Sequence, residues 1–298
     1  MRPSAVRLFE IRNMKQSSSW LHAAAVYTDP RAVVLFFLGF SAGVPIMLIF
    51  SSLSLWLSEA GVSRDMVTMF SWAALAYSFK FVWAPLIDSL PLPVLGKLGW
   101  RRSWLLLSQA AVASAIVWMA MVDPAQPGAL AMMAAAAVLL GFSSATQDVV
   151  IDAYRIEAAG DDTAMQSVTS ATYNAGYRVG MIVSGAGALY AAETFGSKSG
   201  HYVYAAWQQT YLLMAVVMAV GMATVLLMRE PEVAARADKR RSLADSLRLI
   251  VLFLSSVSAF AAMFSWFGGL FSKQDDALLG LLAEAARLTM SVGAAGLA

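Results

Sequence analysis

Cysteine is absent from the 298 residues, which excludes disulfides and thiolate metal sites. Charge is scarce: Asp, Glu, Lys and Arg make up 13% of the chain, about half the roughly 25% of a soluble globular protein. Histidine occurs only as His22 and His201, both outside the apolar runs, where interfacial or solvated side chains are expected. Glycine-rich phosphate loops, metal-ligand spacings and nucleophile–base constellations are missing, so neither an enzyme nor a bound cofactor or metal is expected. The basic residues flank apolar runs and form no nucleic-acid patch. What remains is a chain that is 59% hydrophobic with a mean hydropathy of +0.64. That composition predicts an all-α integral membrane protein whose first partner is the lipid bilayer.

In chain order, residues 1–31 are polar and basic, with no short apolar core followed by a cleavage site, and read as a cytoplasmic tail. Six apolar runs follow within 32–230, at about 33–56, 67–87, 103–121, 130–155, 166–190 and 206–228. Arg236, Lys239, Arg240 and Arg241 mark a basic cytoplasmic linker over 231–246, and 247–298 reads as an extra pair of transmembrane helices. Loops on one side carry Lys97, Arg101, Arg102, Arg155 and the linker cluster; loops on the other carry Arg64 and Lys198. The positive-inside rule then places the N-terminus in the cytoplasm of a multi-pass protein.

The most informative stretch is Gly141-Phe-Ser-Ser-Ala-Thr-Gln-Asp-Val-Val-Ile-Asp-Ala-Tyr-Arg155, which closes a long apolar run. At helical spacing Asp148, Asp152 and Arg155 share one stripe, with Gln147 about a quarter turn aside. Each charge costs roughly 2.5–3.5 kcal/mol at mid-bilayer, so the stripe is expected to face protein or a water-filled cavity. Lys80 is a further intramembrane charge, on a different run. It lies eight residues before Asp88, and Asp148 lies seven before Arg155. If Asp88 and Arg155 mark the same boundary, Lys80 and Asp148 sit at nearly equal depth and are expected to pair; the alternative is that Lys80 snorkels alone to the interface.

Arg178 falls near the middle of the fifth run, where it would anchor an anionic substrate group or serve as an internal partner for Asp148. Tyr173, Asn174 and Tyr177 lie on the same run; the tyrosines would wall a sugar site or merely pack. Ala84-Pro-Leu-Ile-Asp88 with Lys97, Gly99, Arg101 and Arg102 resembles the loop between the second and third helices of the major facilitator superfamily. The expected task of these charges is a cytoplasmic latch of Asp88, Arg101, Arg102, Asp152 and Arg155, or simply topogenic positive charge.

Three stretches together, Ala145-Thr-Gln-Asp-Val-Val-Ile-Asp-Ala-Tyr-Arg155, Gly39-Phe-Ser-Ala-Gly-Val-Pro45 and Lys80-Phe-Val-Trp-Ala-Pro-Leu-Ile-Asp88, resemble the AmpG-type muropeptide permeases, as does Tyr27-Thr-Asp-Pro-Arg31. The resemblance covers about residues 20–232. It implies the N-terminal six-helix half of a major facilitator fold plus two extra helices, in the bacterial inner membrane. It also implies proton-driven import of N-acetylglucosaminyl-1,6-anhydro-N-acetylmuramic acid, with or without peptide, for peptidoglycan recycling, and a link to β-lactamase induction. On that footing Asp148 and Lys80 are expected to couple protons, and Gln147, Arg178, Tyr173, Asn174, Tyr177 and Gly43 to meet the substrate. One half offers one wall of a pathway, so a missing C-terminal half, a second copy, or a truncated or split chain is expected. A carrier for another anionic solute, such as a CoA thioester or sugar phosphate, and a non-transporting half-length membrane protein are the alternatives.

Overall fold

The computed structural model describes residues 25–70, 73, 75–88, 90, 92, 95–198 and 200–231, with isolated positions between 248 and 294. The expected tail to residue 24, the linker from 232 and almost all of the expected helix pair 247–298 lie outside the described residues. Two compact units are distinguished: one joins residues up to Lys80 with Leu92–Val233, and the other joins Phe81–Pro91 with Ala234–Ala298. In the second unit, Phe81 to Ile87 continues a helix and Asp88 is exposed.

In the first unit, helix α1 (Pro30–Met47) opens where Asp29 caps it, its Oδ1 accepting from the Arg31 amide at 2.8 Å. Pro30 sits in the first turn, where its missing N–H costs nothing. Pro45 removes an amide donor inside the same helix, and the rod passes through a π-helical turn, Leu48–Ser52, before continuing as α2 (Leu53–Glu59). The Leu48 carbonyl in that turn accepts from the Tyr211 hydroxyl at 3.1 Å. The rod Pro30–Glu59 is 30 residues long, about 45 Å at 1.5 Å per residue.

Within the second apolar run, expected as one span, the described residues include α3 (Arg64–Phe70) and α4 (Leu75–Ile87). A short 3₁₀ turn, Leu95–Leu98, leads into α5 (Trp100–Ala120), followed by α6 (Ala129–Ala159). Then α7 (Thr163–Ile182) runs through a second π-helical turn, Val183–Gly187, into α8 (Ala188–Thr194), and α9 (Tyr204–Leu227) closes the unit. Among the described residues, four helices are long and apolar enough to cross a membrane: Pro30–Glu59, Trp100–Ala120, Ala129–Ala159 and Tyr204–Leu227. The fifth run is helical through α7 and α8 but opens with a polar half rich in Ser, Thr and Asn.

The tightest crossing is α1 on α7. A methyl group built on Gly39 or Gly43 would strike the carbonyls of Tyr173 or Tyr177, and one on Gly176 or Gly180 those of Phe36 or Phe40. Reciprocal glycines therefore let two backbones touch, the usual device where lipid supplies no hydrophobic drive between helices. Beside it, α5 packs between α6 and α9 over a core of Val112, Ile116, Met133 and Met218. Trp56 stacks on Trp207 at 5.7 Å with rings nearly parallel, and Tyr211 tilts against both. Glu59 closes that end, accepting from Trp207 Nε1 at 2.8 Å and Ser197 Oγ at 2.6 Å.

Candidate functional site

Residues 144–155 of α6 lie deep in a helix of 31 residues, and spacing alone puts Ser144, Asp148, Asp152 and Arg155 on one stripe. In the structure that stripe meets α4 and α7. Lys80 Nζ of α4 lies 3.4 Å from Asp148 Oδ2 and 3.4 Å from Asp152 Oδ2, so the contact expected from equal depth is present and Asp152 shares it. From α7, the Tyr173 hydroxyl donates to Asp148 Oδ1 at 3.0 Å. Arg155 Nη2 reaches Asp152 Oδ1 at 3.4 Å, its Nη1 donates to Ser170 Oγ at 2.8 Å, and the guanidinium stands 5.8 Å over the Tyr173 ring. One turn above, the Tyr77 and Ser144 hydroxyls are 2.5 Å apart.

The charges balance: Lys80 and Arg155 against Asp148 and Asp152. Pairing with added hydrogen bonds is what makes charge tolerable inside an apolar helix. The site is graded. The Asp148 side chain is 12% exposed, Lys80 32% and Asp152 41%. Protonating Asp148 would remove one negative charge from a neutral cluster and leave it with a net positive charge.

Other expected site residues lie elsewhere. Arg178 is exposed on α7 and is not the internal partner of Asp148, because Lys80 and the Tyr173 hydroxyl occupy that carboxylate. Asn174 is exposed, with its amide donating to the Ser170 carbonyl at 2.9 Å. Tyr173 and Tyr177 pack on one another at 5.9 Å, and the Tyr173 hydroxyl is committed to Asp148 rather than to a sugar wall. Gln147 and Gly43 are not on an open face. Gly43 is buried where α1 crosses α7, where a side chain would hit the Tyr177 backbone. Gln147 is fully buried and donates from Nε2 to Ser41 Oγ at 3.0 Å, beside Gln109 of α5.

The expected latch divides. Arg101 is 3% exposed and grips Glu157 of α6, with Nη2 at 2.7 Å from Oε1 and Nε at 3.1 Å from Oε2. Arg102 donates to the carbonyls of Val225 and Leu226 at the end of α9. Asp152 and Arg155 are not part of this knot, since Lys80 and Ser170 claim them. Asp88 belongs to the second unit. The residue that sequence reasoning missed is Glu230. Its carboxylate accepts from the Arg101 amide at 2.6 Å and the Arg102 amide at 3.1 Å, neutralising the free donors that begin α5. Gly99, at φ +113°, leaves that carboxylate room. A carboxylate two residues past an apolar run and just before Pro231 was the available signal.

The profile of the Major Facilitator Superfamily matches residues 32–298. The chain belongs to that superfamily. Among its relatives, a candidate transporter of Rickettsia felis, AmpG 4, is 36% identical over 207 residues, covering 70% of this chain and 47% of that one. The anhydromuropeptide permease of Escherichia coli is 34% identical over 206 residues, covering 69% of this chain and 39% of the permease. A further candidate transporter, AmpG 3 of Rickettsia prowazekii, is 31% identical over 236 residues, 79% of this chain and 53% of the relative. The resemblance to AmpG-type permeases is thus borne out, and the chain spans about half the length of the curated relatives it matches. As a major facilitator protein it is an all-α, multi-pass membrane protein.

Proposed function

We propose that this chain supplies the N-terminal half of a proton-coupled carrier that imports anhydro-muropeptides across the bacterial inner membrane, with its N-terminus in the cytoplasm. The observation that carries the reading is the paired Lys80–Asp148–Asp152–Arg155 network, built on the apolar rod α6. The names of the relatives support the substrate class. Alternating access rocks two halves about a site between them, so a second half or a second copy completes the pathway. The driving force is the proton gradient, no chemical cofactor takes part, and the chain is not an enzyme.

Asp148 is the proton-binding group and Lys80 its counter-charge. Arg178 and Asn174, exposed on α7, meet the substrate, with Arg178 opposite a carboxylate. Gln147 and Gly43 serve this face indirectly, by fixing α1, α6 and α7. Arg101, Arg102, Glu157 and Glu230 bind the cytoplasmic ends of α5, α6 and α9 into one knot.

The exposed guanidinium of Arg178 would serve other anions as well, so a carrier for a sugar phosphate or CoA thioester is the second reading. Uptake by vesicles holding this chain with its second half, tested against anhydro-disaccharide, anhydro-muropeptides, sugar phosphates and CoA thioesters, separates them. Selective uptake of wall fragments is expected. Uptake of phosphate esters alone supports the second reading, and no uptake of any solute contradicts both.

A further inference from the structure

We propose that Asp152 is a second seat for the Lys80 ammonium, so that a proton landing on Asp148 hands Lys80 to Asp152 instead of releasing it. The inference rests on the proton-binding reading of Asp148. Its geometric basis is that Lys80 Nζ is equidistant, at 3.4 Å, from one oxygen of each carboxylate. The two carboxylates stand one helical turn apart on α6, within the swing of a flexible four-carbon stem. Each has its other oxygen held by a different donor: Asp148 by the Tyr173 hydroxyl, Asp152 by Arg155.

The groups facing this centre are Tyr77 and Lys80 from α4, Ser144, Asp152 and Arg155 from α6, and Ser170, Tyr173 and Tyr177 from α7. With Asp148 ionised, Lys80 and Arg155 neutralise the two carboxylates. With Asp148 protonated, its attraction for Lys80 falls away while Asp152 keeps its charge. Arg155 can yield its share of Asp152, because Ser170 Oγ and the Tyr173 ring hold the guanidinium as well.

The proton ends on an Asp148 oxygen, no bond other than that O–H forms, and the centre gains one positive charge. An unpaired ammonium within the span never occurs. The added charge invites an anionic solute, which makes Asp152 a positioning residue for the coupled step. Lys80 moves from the more enclosed carboxylate toward the more hydrated one.

The test is amine labelling of the purified full chain in detergent, read at Lys80 by peptide mass spectrometry, for Asp148→Asn, Asp152→Asn and the double variant. Either single variant is expected to label at close to the native rate, and the double variant at least about tenfold faster, the ratio set by loss of a charge pair. Asp148→Asn labelling as fast as the double variant overturns the hand-over. If Asp148→Asn does not fold, the rate of Lys80 labelling in Asp152→Asn relative to the native chain decides. That ratio should rise as the pH is lowered, because a proton on Asp148 then leaves Lys80 no carboxylate to move to, and a ratio independent of pH overturns the proposal. Proton-independent uptake alongside the expected labelling would contradict the carrier reading alone.

Discussion

At the scale of single residues, a carboxylate inside an apolar helix persists because its neighbours replace water. Asp148 has Lys80 on one oxygen and the Tyr173 hydroxyl on the other. A hydrogen bond to a charged group contributes about 1.5–3 kcal/mol, so Tyr173→Phe should lower the melting temperature of the purified chain and shift the pH dependence of uptake. An unchanged pH profile would show that the tyrosine only packs. Outside the span, the hydrogen bond from Arg31 holds the Asp29 carboxyl below the usual carboxylate range. A lowered folded value stabilises above the ordinary Asp range, and that contribution is lost as pH falls through the folded value. Acidification should therefore loosen the start of α1, read as faster amide exchange at Arg31 after correction for intrinsic rates.

The same scale shows which parts of the site sequence could reveal. Depth arithmetic brought Lys80 and Asp148 together because helical rise is additive along regular segments and both counts start from a charged boundary. It could not reveal that Asp152 shares Lys80, since that depends on the rotation of α4 about its axis. Nor could it show Gln147 closed off: Ser41 and Gln109, its neighbours, come from other helices. Arg178 and Asp148 were candidates for one another by charge alone, whereas the geometry gives the carboxylate to Lys80 and Tyr173.

At the scale of elements, the α1–α7 crossing sets the site. Its glycines fix the backbone of Tyr173, whose hydroxyl reaches Asp148. Gly176→Leu should drive the helices apart, costing about 1–3 kcal/mol or more, and should depress uptake more than protein level in membranes. Normal uptake at normal expression would contradict this coupling. The knot at Arg101 is a second elemental device. Glu157→Ala removes the carboxylate that grips the buried Arg101 guanidinium and should lower the thermal transition well below that of Glu157→Gln. Hydropathy made the long rods legible, but not their π-helical turns at Leu48–Ser52 and Val183–Gly187, which arise from local backbone accommodation.

At the scale of the whole molecule, composition already implied membrane residence, because too few charges exist to coat a soluble surface. Membership of the major facilitator superfamily fits that composition. The basic flanks predict that a reporter fused after Met228 faces the cytoplasm, and one placed near Lys198 the opposite side; the reverse pattern would invert the orientation. The central claim is that Asp148 binds the driving proton. Its most direct measurement is accumulation of labelled anhydro-disaccharide, under an imposed pH gradient, by vesicles holding this chain with its second half. Asp148→Asn should still bind and equilibrate the sugar while losing accumulation above the external concentration. Undiminished uphill accumulation in that variant would contradict the account.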